Sequence, residues 1–160
     1  MSTDQLARLR RRIIGERRRV LTAALAPYVR QVDPTLSCGT RPGKRYWRDC
    51  YRRAAEYMLT HSPRGGPCPA VGGIALVHGV CRAGSLQWGH AWVELPDSLV
   101  FDGVRQQFYD RDGYHRVTQT TVEATYSQEA MVERLRAAEH YGPWHQGILG
   151  HEPARRLDTV

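Results

Sequence analysis

The sequence lacks any long apolar run, and this absence excludes a protein with membrane-spanning helices. No stretch approaches the ~18 consecutive apolar residues that a membrane-spanning helix needs. The first residues, Met1 to Gln5, also lack the short apolar region of a secretory signal. We therefore expect a cytoplasmic protein of a bacterial cell, without a transmembrane segment.

Cysteine is scarce, and no two cysteines form a Cys-x-x-Cys pair. The spacing gives little support for a structural zinc site, and we expect neither a metal nor another cofactor. Two disulfides are possible in an oxidising compartment, but without a secretory signal we expect all the cysteines to remain thiols. The four are Cys38, Cys50, Cys68 and Cys81.

Lysine is almost absent, although the chain is basic. Lys44 is the only lysine, so arginine supplies nearly all the positive charge behind a net charge of +7. Residues 1–53 hold fourteen Arg or Lys against four Asp or Glu, or +10, and the other residues carry −3. Such a segment can bind nucleic acid, an anionic membrane surface or an acidic partner, or it can be a solvated helix face.

The chain has the length of one ordinary domain with an added arm. Apolar periodicity predicts a basic amphipathic helix over 4–30, inside an N-terminal arm at 1–33. We place the main domain at 34–147 and a flexible tail at 148–160. Helix and strand signals predict helices at 49–60 and 127–140, strands at 73–81, 87–95 and 99–104, and a further extended piece at 114–122.

Cys50 is the candidate nucleophile. A free thiol is only a few per cent thiolate at neutral pH, so a nucleophilic cysteine needs a setting that favours the thiolate and a base within reach. Cys50 stands where the helix at 49–60 begins, with Asp49 as the candidate N-cap, and the helix dipole places partial positive charge there. Arg48, Arg52 and Arg53 should add to that field.

His90 is the candidate base, and Asp102 on the next strand is the candidate group that orients it. If the hairpin loop has three residues, 96–98, then Leu95 pairs with Leu99, and His90 and Asp102 are diagonal neighbours on one face. A two-residue loop would send His90 to the opposite face. The hypothesis therefore requires the odd-length loop.

These residues carry a resemblance to a known family. The string Gly89-His90-Ala91-Trp92-Val93-Glu94, followed by Val100-Phe101-Asp102, resembles the His and Asp strands of the transglutaminase-like (papain-like) cysteine enzymes. The segment from Cys50 to Ala55 is similar to their nucleophile helix. The resemblance spans about residues 46–104, and it departs from the family where Gly103 stands in place of a frequent proline.

The resemblance implies an α+β fold, with the nucleophile helix packed on an antiparallel sheet. It also implies a Cys50–His90–Asp102 triad that attacks an amide bond of a peptide or protein and forms a thioester. Water would then give hydrolysis or deamidation, and an amine would give transfer. We take Trp47, Trp88 and Trp92 as candidate substrate-binding residues.

Other interpretations of the same residues stay open. Cys50 could be a buried structural residue, Trp88 and Trp92 could be core, and His78 is a rival base on a strand that looks structural. A function of another class is a non-catalytic interaction module whose basic N-terminal helix binds nucleic acid or a protein partner.

Overall fold

The structure, a computed structural model, describes residues 2–144. It has an antiparallel sheet of five strands in the order β4-β3-β2-β1-β5, which confirms the expected α+β class with an N-terminal helix. The predicted tail at 148–160 lies outside the described residues. The strands are β1 (Ala75–Ala83), β2 (Leu86–Leu95), β3 (Leu99–Asp102), β4 (Gln107–Asp110) and β5 (Thr121–Tyr126). The helices are α1 (Thr3–Leu25), α2 (Pro34–Ser37), α3 (Cys50–Thr60), α4 (Arg111–Thr118) and α5 (Gln128–Ala138), and a 3₁₀ turn (Ala26–Tyr28) follows α1.

The sheet carries a hydrophobic cluster on each face, because successive side chains of a strand point to opposite sides. On one face, Ala91 and Val93 of β2 pack with residues of α3 and α5. On the other face, Trp92 of β2 packs with residues of α1 and α4. Neighbouring residues of β2 therefore belong to different layers, and the two layers hold the sheet between them.

The β2–β3 hairpin has the loop that the sequence analysis required. Leu95 pairs with Leu99, so the loop holds three residues and the predicted register is confirmed. Asp97 and Ser98 both take left-handed backbone conformations, with φ of 57° and 55°. Two successive positive φ values match the twist of a tight antiparallel hairpin, and aspartate tolerates that conformation better than most residues.

Helix α1 does not stand apart as an arm. Ser2 begins it with a capping box that involves Gln5. Its second half packs on the sheet through Leu21 and Leu25, which are buried. Across residues 2–144, none of the helices, α1 included, combines the length and the apolar character that a bilayer crossing requires.

The expected extended piece at 114–122 is partly wrong. Residues 111–118 form helix α4, and the strand begins only at Thr121. The reason is that Asp110 is the N-cap of a helix, which the sequence pattern did not reveal. Its carboxylate accepts a hydrogen bond from the Gly113 amide at 2.9 Å. Tyr114 of this helix is fully buried against the sheet.

The expectation that all cysteines are thiols is also wrong. Cys38 and Cys68 form a disulfide, with their Cα atoms 5.9 Å apart, while Cys50 and Cys81 are buried thiols. Both disulfide segments pack along the second half of α3. The Cys68 amide donates to the Thr60 carbonyl at 3.1 Å, and the Tyr57 hydroxyl donates to a carbonyl of α2 at 2.9 Å.

Removing this disulfide should destabilise the fold. The cross-link spans a sequence separation of 30 residues, and a loop of that size stabilises by about 3.6 kcal/mol through restriction of the unfolded chain. We expect Cys38→Ser/Cys68→Ser to lower the free energy of unfolding in urea by that amount. Thiol titration of the denatured, unreduced protein should find two reactive thiols. Four thiols, together with a stability indifferent to reductant, would contradict the cross-link.

Candidate active site

Cys50 is the first residue of α3 and is almost fully buried. Asp49 occupies the N-cap position as expected, but its side chain makes no capping hydrogen bond. Arg48, just before it, has a φ of 73°, a left-handed conformation that is costly for a residue with a Cβ atom. Strain of this kind is found preferentially at functional sites. The backbone therefore bends sharply at Arg48, just before α3 begins at Cys50.

His90 and Asp102 lie side by side, as the hairpin register predicted. The distance between His90 Nε2 and Asp102 Oδ2 is 3.4 Å, a close contact whose geometry falls short of a well-formed hydrogen bond. Both side chains are buried. Because Nε2 faces the carboxylate, Nδ1 is the ring nitrogen left to act on another group.

The Asp102 carboxylate is surrounded by donors. Oδ1 accepts from the Val104 amide at 2.9 Å and from the Arg105 amide at 3.2 Å. Oδ2 accepts from Arg105 Nη1 at 2.6 Å and from the Tyr114 hydroxyl at 3.1 Å. Burial would raise the pKa of Asp102, but the charges of Arg105 and His90 outweigh it and hold that pKa well below its usual range. The Asp102 carboxylate is thus ionised at neutral pH.

Arg105 is the member of the site that sequence reasoning missed. Its guanidinium is buried, and its ion pair with Asp102 raises the pKa of Arg105 although burial opposes this. The signal was its position three residues after Asp102, at the end of the turn that leaves β3. Arg105 Nη1 and His90 Nε2 both lie close to the same oxygen, Oδ2, of the orienting carboxylate.

Gly103 allows α3 to approach the end of β3. A Cβ atom at this position would lie 2.7 Å from Arg53 Cβ and 2.9 Å from the Arg53 carbonyl carbon. Any larger residue would push the helix away. Gly103 therefore lets the first turn of α3 lie against the end of the strand that holds Asp102.

Cys50 and His90 line one cavity of about 230 Å³. Trp47 and Trp88, two of the candidate substrate-binding residues, line it as well. A backbone hydrogen bond from the Tyr46 amide to the Val104 carbonyl, at 2.8 Å, fixes the segment that carries Trp47. A thiol, an imidazole and two indole rings therefore face the same space.

Trp92 is placed differently from the other two tryptophans. It is fully buried in the layer beneath α4 and is not among the described residues that line the cavity. Its ring lies 6.2 Å from that of His90, centroid to centroid, in a stacked arrangement. Trp92 is therefore placed to hold the His90 ring in position by stacking against it.

Only one of the three arginines expected to surround Cys50, Arg48, lines its cavity. Arg52 and Arg53 each contact Glu56 at 2.7 Å, and Arg53 also lies 3.4 Å from Asp49, so two carboxylates compensate their charges. Arg48 lines the cavity, as expected from its position. The others that line it are Arg105 and, from α1, Arg17 and Arg18.

The rival base His78 and the second thiol Cys81 lie away from the cavity lining. His78 is buried among aromatic rings, 4.8 Å from Tyr51 and 5.0 Å from Trp144 between centroids. Burial, with Asp102 next, raises the pKa of the Cys81 thiol far above its usual value. Cys81 is therefore an inert thiol that can serve as an internal reference for Cys50.

Comparisons with known proteins assign neither a family nor a function to this chain. The chain matches no protein-family model, no curated protein and no solved structure.

Replacing Arg105 should destabilise the protein in a pH-dependent way. Arg105→Gln leaves a buried carboxylate without its counter-ion, and we expect a loss of about 3–5 kcal/mol in the free energy of unfolding at neutral pH. The depressed pKa of Asp102 means that its ionised form contributes stability above its unfolded value of 3.8, and that this contribution is lost as the pH falls. The variant's deficit should therefore shrink in acid.

Tyr114→Phe is the matched control for this experiment, because it removes one hydrogen bond to the same oxygen without removing charge. Its cost should be smaller, about 1.5–3 kcal/mol. Urea unfolding at several pH values measures both variants. An Arg105→Gln protein as stable as the wild type at neutral pH would show that the pair does not hold Asp102.

Proposed function

We propose that the chain is a cysteine-dependent hydrolase or acyl/amine transferase that acts on an amide bond of a peptide or protein. The observation that carries the proposal is one arrangement. Cys50 begins a helix and shares a cavity with His90, whose Nε2 lies 3.4 Å from a buried, ionised Asp102. This order of nucleophile, base and orienting carboxylate is the arrangement that activates a thiol.

The proposed reaction has two halves that share one base. The Cys50 sulfur adds to the amide carbonyl carbon while His90 Nδ1 takes the thiol proton. The intermediate collapses, the amine leaves with the proton from His90, and a thioester remains on Cys50. Water or a second amine then attacks the thioester, His90 takes its proton, and that proton returns to the departing Cys50 sulfur.

The charge that develops on the carbonyl oxygen needs donors nearby. The backbone amides at the start of α3 are the proposed donors, because the Asp49 side chain does not occupy them. The N-terminal end of the helix dipole favours the same negative charge.

A transglutaminase-like core is part of this proposal. Support comes from the position of Cys50 at the start of a helix packed on the sheet, and from His90 and Asp102 on consecutive antiparallel strands. The layer of α1 and α4 on the other face is additional to that core.

The two remaining thiols allow an internal test. Cys50 should react with iodoacetamide much faster than Cys81 near neutral pH, since His90 favours the Cys50 thiolate and burial suppresses that of Cys81. His90→Gln should lower the Cys50 rate by about 10²-fold. Peptide mapping by mass spectrometry reports both thiols in one sample.

His78→Gln is the matched control, because it alters the rival base and leaves the cavity lining intact. It should leave the Cys50 rate unchanged while circular dichroism confirms the fold. Slow, equal labelling of Cys50 and Cys81, or a rate that depends on His78 instead of His90, would remove the proposed mechanism.

A second candidate function rests on the first half of α1. Leu6, Leu9 and Ile13 recur at helical spacing and are 42–50% exposed, although large apolar side chains are normally covered. Exposed arginines of the same half, Arg10 to Arg12, lie beside them. This surface favours an interaction with nucleic acid or an acidic protein partner.

Nucleic-acid binding should be salt-sensitive if this second function holds. The intact chain should bind a labelled duplex with an affinity that falls steeply as salt rises. Arg10→Gln/Arg11→Gln/Arg12→Gln should reduce that slope, and fluorescence anisotropy measures it. An intact chain that does not bind at low salt would exclude nucleic acid as the partner.

A further inference from the structure

The cavity beside Cys50 is strongly positive. Four arginines line it, two from α1 and two from the segments next to Cys50 and Asp102, and the described lining residues include no Asp or Glu. The buried Asp102 compensates one of the four through Arg105. Arg17 and Arg48 give the cavity an excess of positive charge in a partly desolvated space, where charge acts strongly on a ligand.

Two of these guanidinium groups have donors that nothing satisfies within residues 2–144. Arg105 is only 4% exposed, and its Nε is buried without a hydrogen-bond partner. Arg17 Nη1 is likewise buried without one. An unsatisfied buried donor costs about 1–3 kcal/mol, and more when it is charged. Both side chains line the cavity, so a ligand whose acceptor oxygens reached these donors would recover that cost.

Apart from Cys50, Gln87 and His90, the rest of the lining is apolar. Trp47 lies beneath the Arg18 guanidinium, 4.2 Å from the ring centroid, and Arg105 approaches the same ring at 5.6 Å. Trp88 and Leu21 add further apolar surface. A suitable ligand therefore combines a flat or aliphatic portion with a negative charge.

We infer that the substrate of this site carries an anionic group, a carboxylate or a phosphate, close to the acyl group that Cys50 attacks. Arg17 and Arg18 of α1 bind the anion, with Arg48 and Arg105 beside them, and Trp47 and Trp88 contact the apolar portion. Guanidinium groups suit this task because their paired N–H groups match carboxylate and phosphate oxygens. The inference rests on the proposed function for its acyl group and on the cavity alone for its anion.

Binding to Cys50→Ala protein separates the two parts, because anion recognition does not need the thiol. Three probes are compared by isothermal titration calorimetry at low salt: N-benzoylglycine, its neutral amide, and phenyl phosphate. At least one anion should bind about tenfold more tightly than the neutral amide, since charge-assisted hydrogen bonds to guanidinium are lost in the amide. The tighter anion of the two identifies the group that the site prefers.

Matched variants on one helix locate the anion. Arg17→Gln/Arg18→Gln in the same Cys50→Ala background should bring the anions close to the affinity of the amide. Arg8→Gln/Arg19→Gln, which removes the same formal charge from exposed positions of α1, should keep most of the preference. Equal affinity of anion and amide, no binding of either anion at millimolar concentration, or a preference that survives the loss of Arg17 and Arg18 would overturn the inference. Slow alkylation of Cys50 would instead overturn only the proposed chemistry.

Discussion

The buried carboxylate of Asp102 is the constraint on which the rest of the site depends. An ionised group that is wholly removed from water is tolerated only when its oxygens are satisfied, and here they contact groups from β2, α4 and the turn after β3. The same contacts fix the His90 ring from one side and place Arg105 at the wall of the cavity. Loss of this carboxylate would release the base, the turn and one cavity arginine together.

The hairpin was the most predictable part of the molecule, because its register depends on residues that are close together in the sequence. Period-two alternation and an odd loop length decide the face on which His90 stands, and both can be read from residues 88–102. Helix α3 was predicted from its helix-forming residues and from Asp49 at its start. These elements depend on near neighbours in the sequence, so the pattern contained enough information for both of them.

The features that sequence reasoning missed depend on distant contacts. The disulfide needs residues 38 and 68 to meet along α3, and spacing alone does not reveal that meeting. The arginines of α1 give the same sequence pattern whether they face water or the domain. The pattern therefore could not predict that Arg17 and Arg18 line the cavity. Arg105 offered a weak signal through its spacing from Asp102, but identifying it required the geometry of the turn. Likewise, the sequence could not show that Trp92 is buried while Trp88 lines the cavity.

The central claim is that Cys50 forms a covalent acyl intermediate with the help of His90. The most direct measurement is mass-spectrometric trapping of an acyl adduct from a pool of acylated peptides, followed by peptide mapping. The account predicts an adduct on Cys50 that is absent from Cys81 and that disappears in His90→Gln. A well-folded protein that forms no adduct on Cys50, or that forms the same adduct without His90, would contradict it.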